Sequence, residues 1–229
     1  KNGYKTLIID LDPQGNVSTY LNFDKNTNEV TNSMELLEGT TEINPGELSE
    51  NLSIVPSNKE IARYNEEKII GGSKIRKLKQ DGIFSNYDFI FIDTPPTMSS
   101  LVQEGIAGSD YYLIPTKPEF LAVEGVAQAM NFAKTTLKNI PNINTVFLGV
   151  LLNQVETKRS SYDEFLNELE YLLGDRLFKS KISHLTDIAD SPFYGKTVID
   201  FNDESKAKVE FNKLAEEIIE RVGINEKIS

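Results

Sequence analysis

The stretch TLIIDLDPQGN, residues 6–16, decides the fold. Leu7, Ile8 and Ile9 make a short apolar run, the length and character of a buried strand. The run ends on two acids, Asp10 and Asp12, followed by Pro13, Gln14 and Gly15. Acids at the carboxyl end of a parallel strand lie at a ligand crevice. An acid in that place can equally cap a turn or helix. A second strand of the same kind is needed to choose.

DFIFID, residues 88–93, supplies it. This run is almost wholly apolar and stops at Asp93, where Thr94, Pro95 and Pro96 end the strand. In a parallel sheet both acid-bearing ends lie on one edge. Carboxylates there can hold the water shell of Mg²⁺ or orient an attacking water.

Outward from these two runs, strands are expected at 52–56, 111–115, 145–153 and 177–182. Helical segments are expected at 17–37 in pieces, at 60–80 with a break at Gly71 and Gly72, and at 98–107 and 119–137. Two more fall at 160–173, with Phe165, Leu169 and Leu172 on one face, and at 204–222. Strands apolar on both faces that alternate with helices indicate a parallel sheet covered on both sides. The expectation is an α/β fold: a single doubly wound, mostly parallel sheet with helices on both faces, in one domain over 1–229.

Composition narrows the function. The 229 residues suffice for a large core. Cysteine is absent, which removes disulfides, thiol nucleophiles and thiolate metal sites. The one histidine, His184, reads as a surface or loop residue and argues against a histidine triad or zinc site. A net charge of −11 argues against a broad electrostatic grip on nucleic acid or anionic membrane, though not against a local basic patch. The first residues lack a signal-peptide pattern. With the missing cysteines, this gives a cytoplasmic expectation.

DLDPQGN at 10–16 and FIFIDTPPTMSSL at 89–101 resemble the ParA-type chromosome and plasmid partitioning ATPases, of the deviant-Walker P-loop group. The resemblance continues through IPTKPEFLAVEGVAQ (114–128), LGVLLNQVETKRS (148–160) and ADSPFYGKTVIDF (189–201) to the final helix. It covers almost the whole chain in the family's order. It implies ATP and Mg²⁺ as ligands. Asp12 matches the switch acid that orients the water attacking the γ-phosphate, with Pro13 and Gln14 in the same switch. Asp10 matches an acid close to Mg²⁺, and Asp93 the Walker B acid that holds Mg²⁺ through water. Pro95 and Pro96 match the second switch. Asn153 resembles the position used for adenine recognition, or is a plain cap.

The family's lysine-containing glycine loop does not occur in these residues. Gly71-Gly72-Ser73-Lys74 is no substitute, because it does not follow an apolar strand. The resemblance therefore implies a domain whose first strand, phosphate loop and most of whose first helix lie ahead of Lys1, and a fragment that binds ATP poorly by itself.

The resemblance also implies an ATP-bound homodimer, nonspecific DNA binding, a ParB-like partner that stimulates hydrolysis, and a nucleoid-associated place in the bacterial cytoplasm. Candidate DNA contacts are Lys158 and Arg159, then Lys179 and Lys181; Arg159 matches a family arginine after the fifth strand. Asp187 stands where relatives often carry a base. The final helix has an acidic face with Glu210, Glu216, Glu217 and Glu220, which argues against a membrane role. Phe211, Leu214 and Ile218 are expected in the core. Two other readings stay open: a related ATPase that positions other cargo or the division site, and a non-hydrolysing binding module.

Overall fold

The computed structural model describes residues 3–66, 72–119, 121–140, 142–156, 162–194, 197–201 and 205–223. The chain divides into two compact units, Lys1–Asp110 with Ala133–Thr145, and Tyr111–Phe132 with Val146–Ser229.

The first unit is built on β1 (Thr6–Asp10), β2 (Gly46–Ser49), β3 (Leu52–Val55) and β4 (Phe89–Asp93), in the order β2-β3-β1-β4. β1 runs parallel to both β3 and β4, and Asp10 stands in register with Asp93. The short, polar β2 pairs antiparallel to β3 and has no apolar signal in the sequence. Alternation along the first strand sends Leu7, Ile9 and Leu11 into the core. There they meet α2 (Ser33–Gly39), α3 (Lys74–Gln80) and α4 (Ser100–Gly108) through Leu36, Leu37, Ile75, Leu78 and Leu101. Each such side chain contributes roughly 1.5–3 kcal/mol by leaving water. The DPQGN turn leads into α1 (Asn16–Tyr20). α2 starts on a capping box: Asn32 accepts from the backbone of Met34 and Glu35, and Glu35 answers to the Asn32 N–H. The helical stretch expected over 60–80 with a break at Gly71 and Gly72 has α3 after the glycines, while the part before them is a 3₁₀ segment, Lys59–Glu66. β4 is apolar but only part-buried, and Phe91 is 47% exposed, because β4 is the outer strand of this set.

The second unit has β5 (Tyr111–Thr116), β6 (Val146–Val155) and β7 (Leu177–Ser183), all parallel, in that order. Its helices include α5 (Ala122–Asn139) up to Phe132, α6 (Tyr162–Leu173), α7 (Thr186–Asp190), α8 (Val198–Phe201) and α9 (Lys206–Val222). β6 is apolar on both faces. Phe147, Val150 and Leu152 pack with Val126 of α5 and Leu169 of α6. Leu148 and Leu151 pack with Phe178 and with Leu214 of α9. Strict alternation would put Leu148 and Val150 on one face. A bulge separates them: Tyr112 pairs with Phe147 and Leu113 with Gly149, leaving one extra residue. Gly149 has φ +144°, and a Cβ there would lie 2.0 Å from the Arg176 carbonyl, so glycine is required.

The parallel α/β expectation is borne out, with the strands paired as two sets. Phe211, Leu214 and Ile218 face the core as expected. Two helix faces differ from expectation. Leu172 is 57% exposed while Leu173 packs inward, because α6 is rotated to bury Tyr162 and Leu169. Glu210 and Glu217 do not belong to a solvent face. β7 is an edge strand, and these two carboxylates take its outward N–H groups. Glu217 accepts from Lys179 N (2.9 Å) and Ser180 N (2.7 Å), and Glu210 from Ser183 N (2.7 Å).

Candidate active site

The carboxyl ends of β1 and β4 bring Asp10, Asp12 and Asp93 together. The Leu11 N–H donates to the Asp93 carbonyl at 2.8 Å, locking the two strand ends. Asp10 is fully buried. Its Oδ1 accepts from the Asp12 N–H at 2.9 Å, while its Oδ2 has no hydrogen-bond partner. Burial, with the Asp93 and Asp12 charges adding and the Asp12 N–H opposing, pushes the Asp10 pKa up to about 7. Asp93 is raised too, first by desolvation and then by the Asp12 charge. Three acids crowded at one strand edge repel one another, and a cation would relieve all three.

Asp12 sits at the head of a tight turn. Its Oδ1 accepts from Gln14 N at 2.9 Å, and its carbonyl from Gly15 N at 2.8 Å. Gly15 is left-handed (φ 60°) and buried, and a Cβ would meet the Ser57 carbonyl at 2.8 Å. Pro13 is part-buried and Gln14 exposed beside it. After Asp93, Pro95 is buried and Pro96 exposed on the way into α4. Asp10, Asp12 and Asp93 lie together at this strand edge, and Pro13, Gln14, Pro95 and Pro96 follow them along the chain.

The remaining predicted residues belong to the second unit. Asn153 is half-buried near the end of β6, and its Oδ1 accepts from Gln154 N at 2.9 Å. Gln154 has φ 54°, a conformation costing about 1–2 kcal/mol for a residue with a Cβ. Lys179 is exposed on β7. Lys181 donates to the Tyr162 hydroxyl at 3.2 Å and lies over its ring. Lys158 and Arg159 lie outside the described residues. His184 is exposed, with Nδ1 2.7 Å from Glu156.

Sequence reasoning missed three groups. Lys25 holds the DPQGN turn, with Nζ donating to the Gln14 carbonyl at 2.8 Å. The Ser33 hydroxyl, at the start of α2, bonds the Asp10 carbonyl; the capping-box spacing of Asn32 and Glu35 could have found that helix start. Glu104, fully buried on α4, accepts from Ser73 Oγ (2.6 Å), Ile75 N (2.7 Å) and Tyr64 OH (3.1 Å). Desolvation raises its pKa against those bonds. Glu104 also explains why Gly-Ser-Lys at 72–74 cannot serve phosphate. The α3 N-terminus there already has a carboxylate of its own.

Magnesium is the metal implied by the resemblance. The orphaned, fully buried Asp10 Oδ2 and the three mutually repelling acids fit a hard cation with oxygen ligands. Among the described residues no group of three or more His, Cys, Asp or Glu forms a metal cage. Mg²⁺ keeps much of its water and needs few protein ligands.

A sequence profile for an AAA domain matches residues 1–146, more than half of the chain. The chain belongs to the AAA domain family. It is 27% identical over 227 residues to the sporulation initiation inhibitor protein Soj of Bacillus subtilis, covering 94% of this chain and 87% of Soj. It is 26% identical to the chromosome-partitioning ATPase Soj of Treponema pallidum, over 96% of this chain and 87% of that protein. A Borrelia burgdorferi structure described as a plasmid partition protein, bound to AMPPNP, superposes with a TM-score of 0.73. At 21% identity over 96% of this chain and 87% of its own, that likeness shows the fold. The resemblance to the ParA-type partitioning ATPases is thus borne out. Among the described residues no helix is long and apolar enough to cross a membrane.

Proposed function

We propose that this AAA-family chain hydrolyses Mg²⁺-ATP to drive segregation of a plasmid or chromosome. The observation that carries the reading is the acid cluster: Asp10 and Asp93 in register on adjacent parallel strands, with Asp12 beside them on a hydrogen-bonded turn. Phosphoryl transfer needs positioning and charge stabilisation more than covalent chemistry. Asp12 orients the attacking water. Asp10 and Asp93 hold the water shell of Mg²⁺, which when bound neutralises charge on the phosphate oxygens. Pro95 and Pro96 form a second switch at the head of α4. Asn153 recognises adenine. The reading requires backbone donors of a glycine-rich loop to cradle the triphosphate.

ATP binding pairs two copies, and the dimer grips DNA nonspecifically through Arg159, Lys158, Lys179 and Lys181. A ParB-like partner stimulates turnover, in the bacterial cytoplasm at the nucleoid. The relatives' partitioning names support this reading. With a net charge of −11 the grip must be local and steeply salt-dependent. In a gel shift with ATP, Arg159→Ala in the full-length gene product weakens DNA binding roughly tenfold and lowers its salt dependence, leaving ATP turnover intact. Equal affinity removes Arg159 as a contact. The hydrolytic part is tested by Asp12→Ala, which abolishes turnover and spares ATP binding.

A further inference from the structure

We propose that Lys25 is a positioning residue that holds the Asp12 turn in its working shape. The proposal rests on the ATP-hydrolysing reading. The Lys25 ammonium has three donors and finds three acceptors: the Gln14 carbonyl at 2.8 Å, the Gly15 carbonyl at 3.3 Å and Thr19 Oγ1 at 3.3 Å. These acceptors span the end of the turn and the whole of α1. Gly15 is left-handed, and α1 begins without a side-chain cap, so local sequence holds this junction weakly. The Lys25 stem closes over the Cα of Gly15, where a Cβ would lie 2.9 Å from Cδ. The Ser57 carbonyl closes the other side at 2.8 Å. Lys25 is part-buried.

The turn in question fixes Asp12. One Asp12 oxygen is bound by the Gln14 N–H, and the Asp12 carbonyl by the Gly15 N–H. Lys25 grips the carbonyls of those same two residues from the other side of the chain. The Gln14 carbonyl shares its peptide with the Gly15 N–H that binds the Asp12 carbonyl, so loss of the ammonium loosens the turn on which the Asp12 carboxylate is held. A carboxylate that orients a water must be held within a fraction of an ångström, and a misplacement of about 1 Å can cost on the order of 100-fold in rate.

The test compares wild type, Lys25→Met and Lys25→Arg in the full-length gene product. Amide exchange of residues 14–19, measured without nucleotide, should rise about tenfold in Lys25→Met and stay near wild type in Lys25→Arg, which keeps the charge and donors. The kcat for Mg²⁺-ATP should fall roughly 10- to 100-fold in Lys25→Met, with KM and ATP affinity within about twofold. Lys25→Arg should restore most of it. Unchanged exchange in Lys25→Met overturns the proposal whatever the activity. So does faster exchange with unchanged kcat, or a loss confined to KM. Absence of turnover in wild type sinks the hydrolytic reading and with it the catalytic purpose of the strut, while the exchange data still decide whether the strut exists.

Discussion

Asp10 is wholly buried, lies beside two other acids and leaves one oxygen unpartnered. No stability argument favours a carboxylate there. Its folded pKa of about 7 lies above the ordinary 3.8. The folded state therefore binds the extra proton between these values. Stability falls as pH rises from about 4 to about 7, and the full cost is present above 7. At 1.36 kcal/mol per unit, that cost reaches up to roughly 4 kcal/mol. Asp10→Asn should accordingly raise the melting temperature at pH 8, raise it clearly less at pH 5, and weaken Mg²⁺-dependent turnover. Equal stabilisation at both pH values would show that the cost is not Asp10 ionisation. Stability given up at a functional site is an expected trade. Asp10, Asp12 and Asp93 were legible because each ends an apolar run and a proline follows soon after. Lys25 and Glu104 were not. Their contacts depend on a turn 10 residues away and on a helix packed 31 residues away, which no local spacing encodes.

At the scale of elements, α9 and β7 show a helix closing the edge of a sheet. Arg221 completes the arrangement, bonding Glu217 at 2.8 Å and the Leu148, Asp175 and Leu177 carbonyls at 2.9 Å. An uncovered strand edge invites pairing with another chain; here carboxylates and a guanidinium occupy it. Burial alone would raise the Glu217 pKa, but hydrogen bonds from Ser180, Lys179 and Arg221 together outweigh it and hold the group below its usual range. Its stabilisation is thus present above the unfolded pKa and is lost as pH falls through the folded value. Glu217→Gln puts an amide against two backbone donors and should cost about 2–4 kcal/mol at pH 7 by denaturant titration. The gap to wild type should narrow as pH falls below the ordinary carboxylate range. A gap unchanged by acid would contradict the assignment. The apolar stripe of α9 was readable from its period, which cannot separate a polar residue facing solvent from one facing an edge strand. The β6 bulge was likewise hidden, since Gly149 sits in an unbroken apolar run.

Across the whole molecule, parallel strands were readable because short apolar runs alternate with helical patterns. The polar β2 escaped, as its place comes from pairing with β3. The three acids fall in the first unit, and Asn153, Lys179 and Lys181 in the second. The central claim is that Asp12 orients the hydrolytic water. Its most direct test is phosphate release and ATP binding measured side by side for wild type and Asp12→Ala in the full-length gene product. The account predicts a loss of kcat of roughly 100-fold or more, with ATP affinity within about threefold. Turnover that survives the substitution would contradict it.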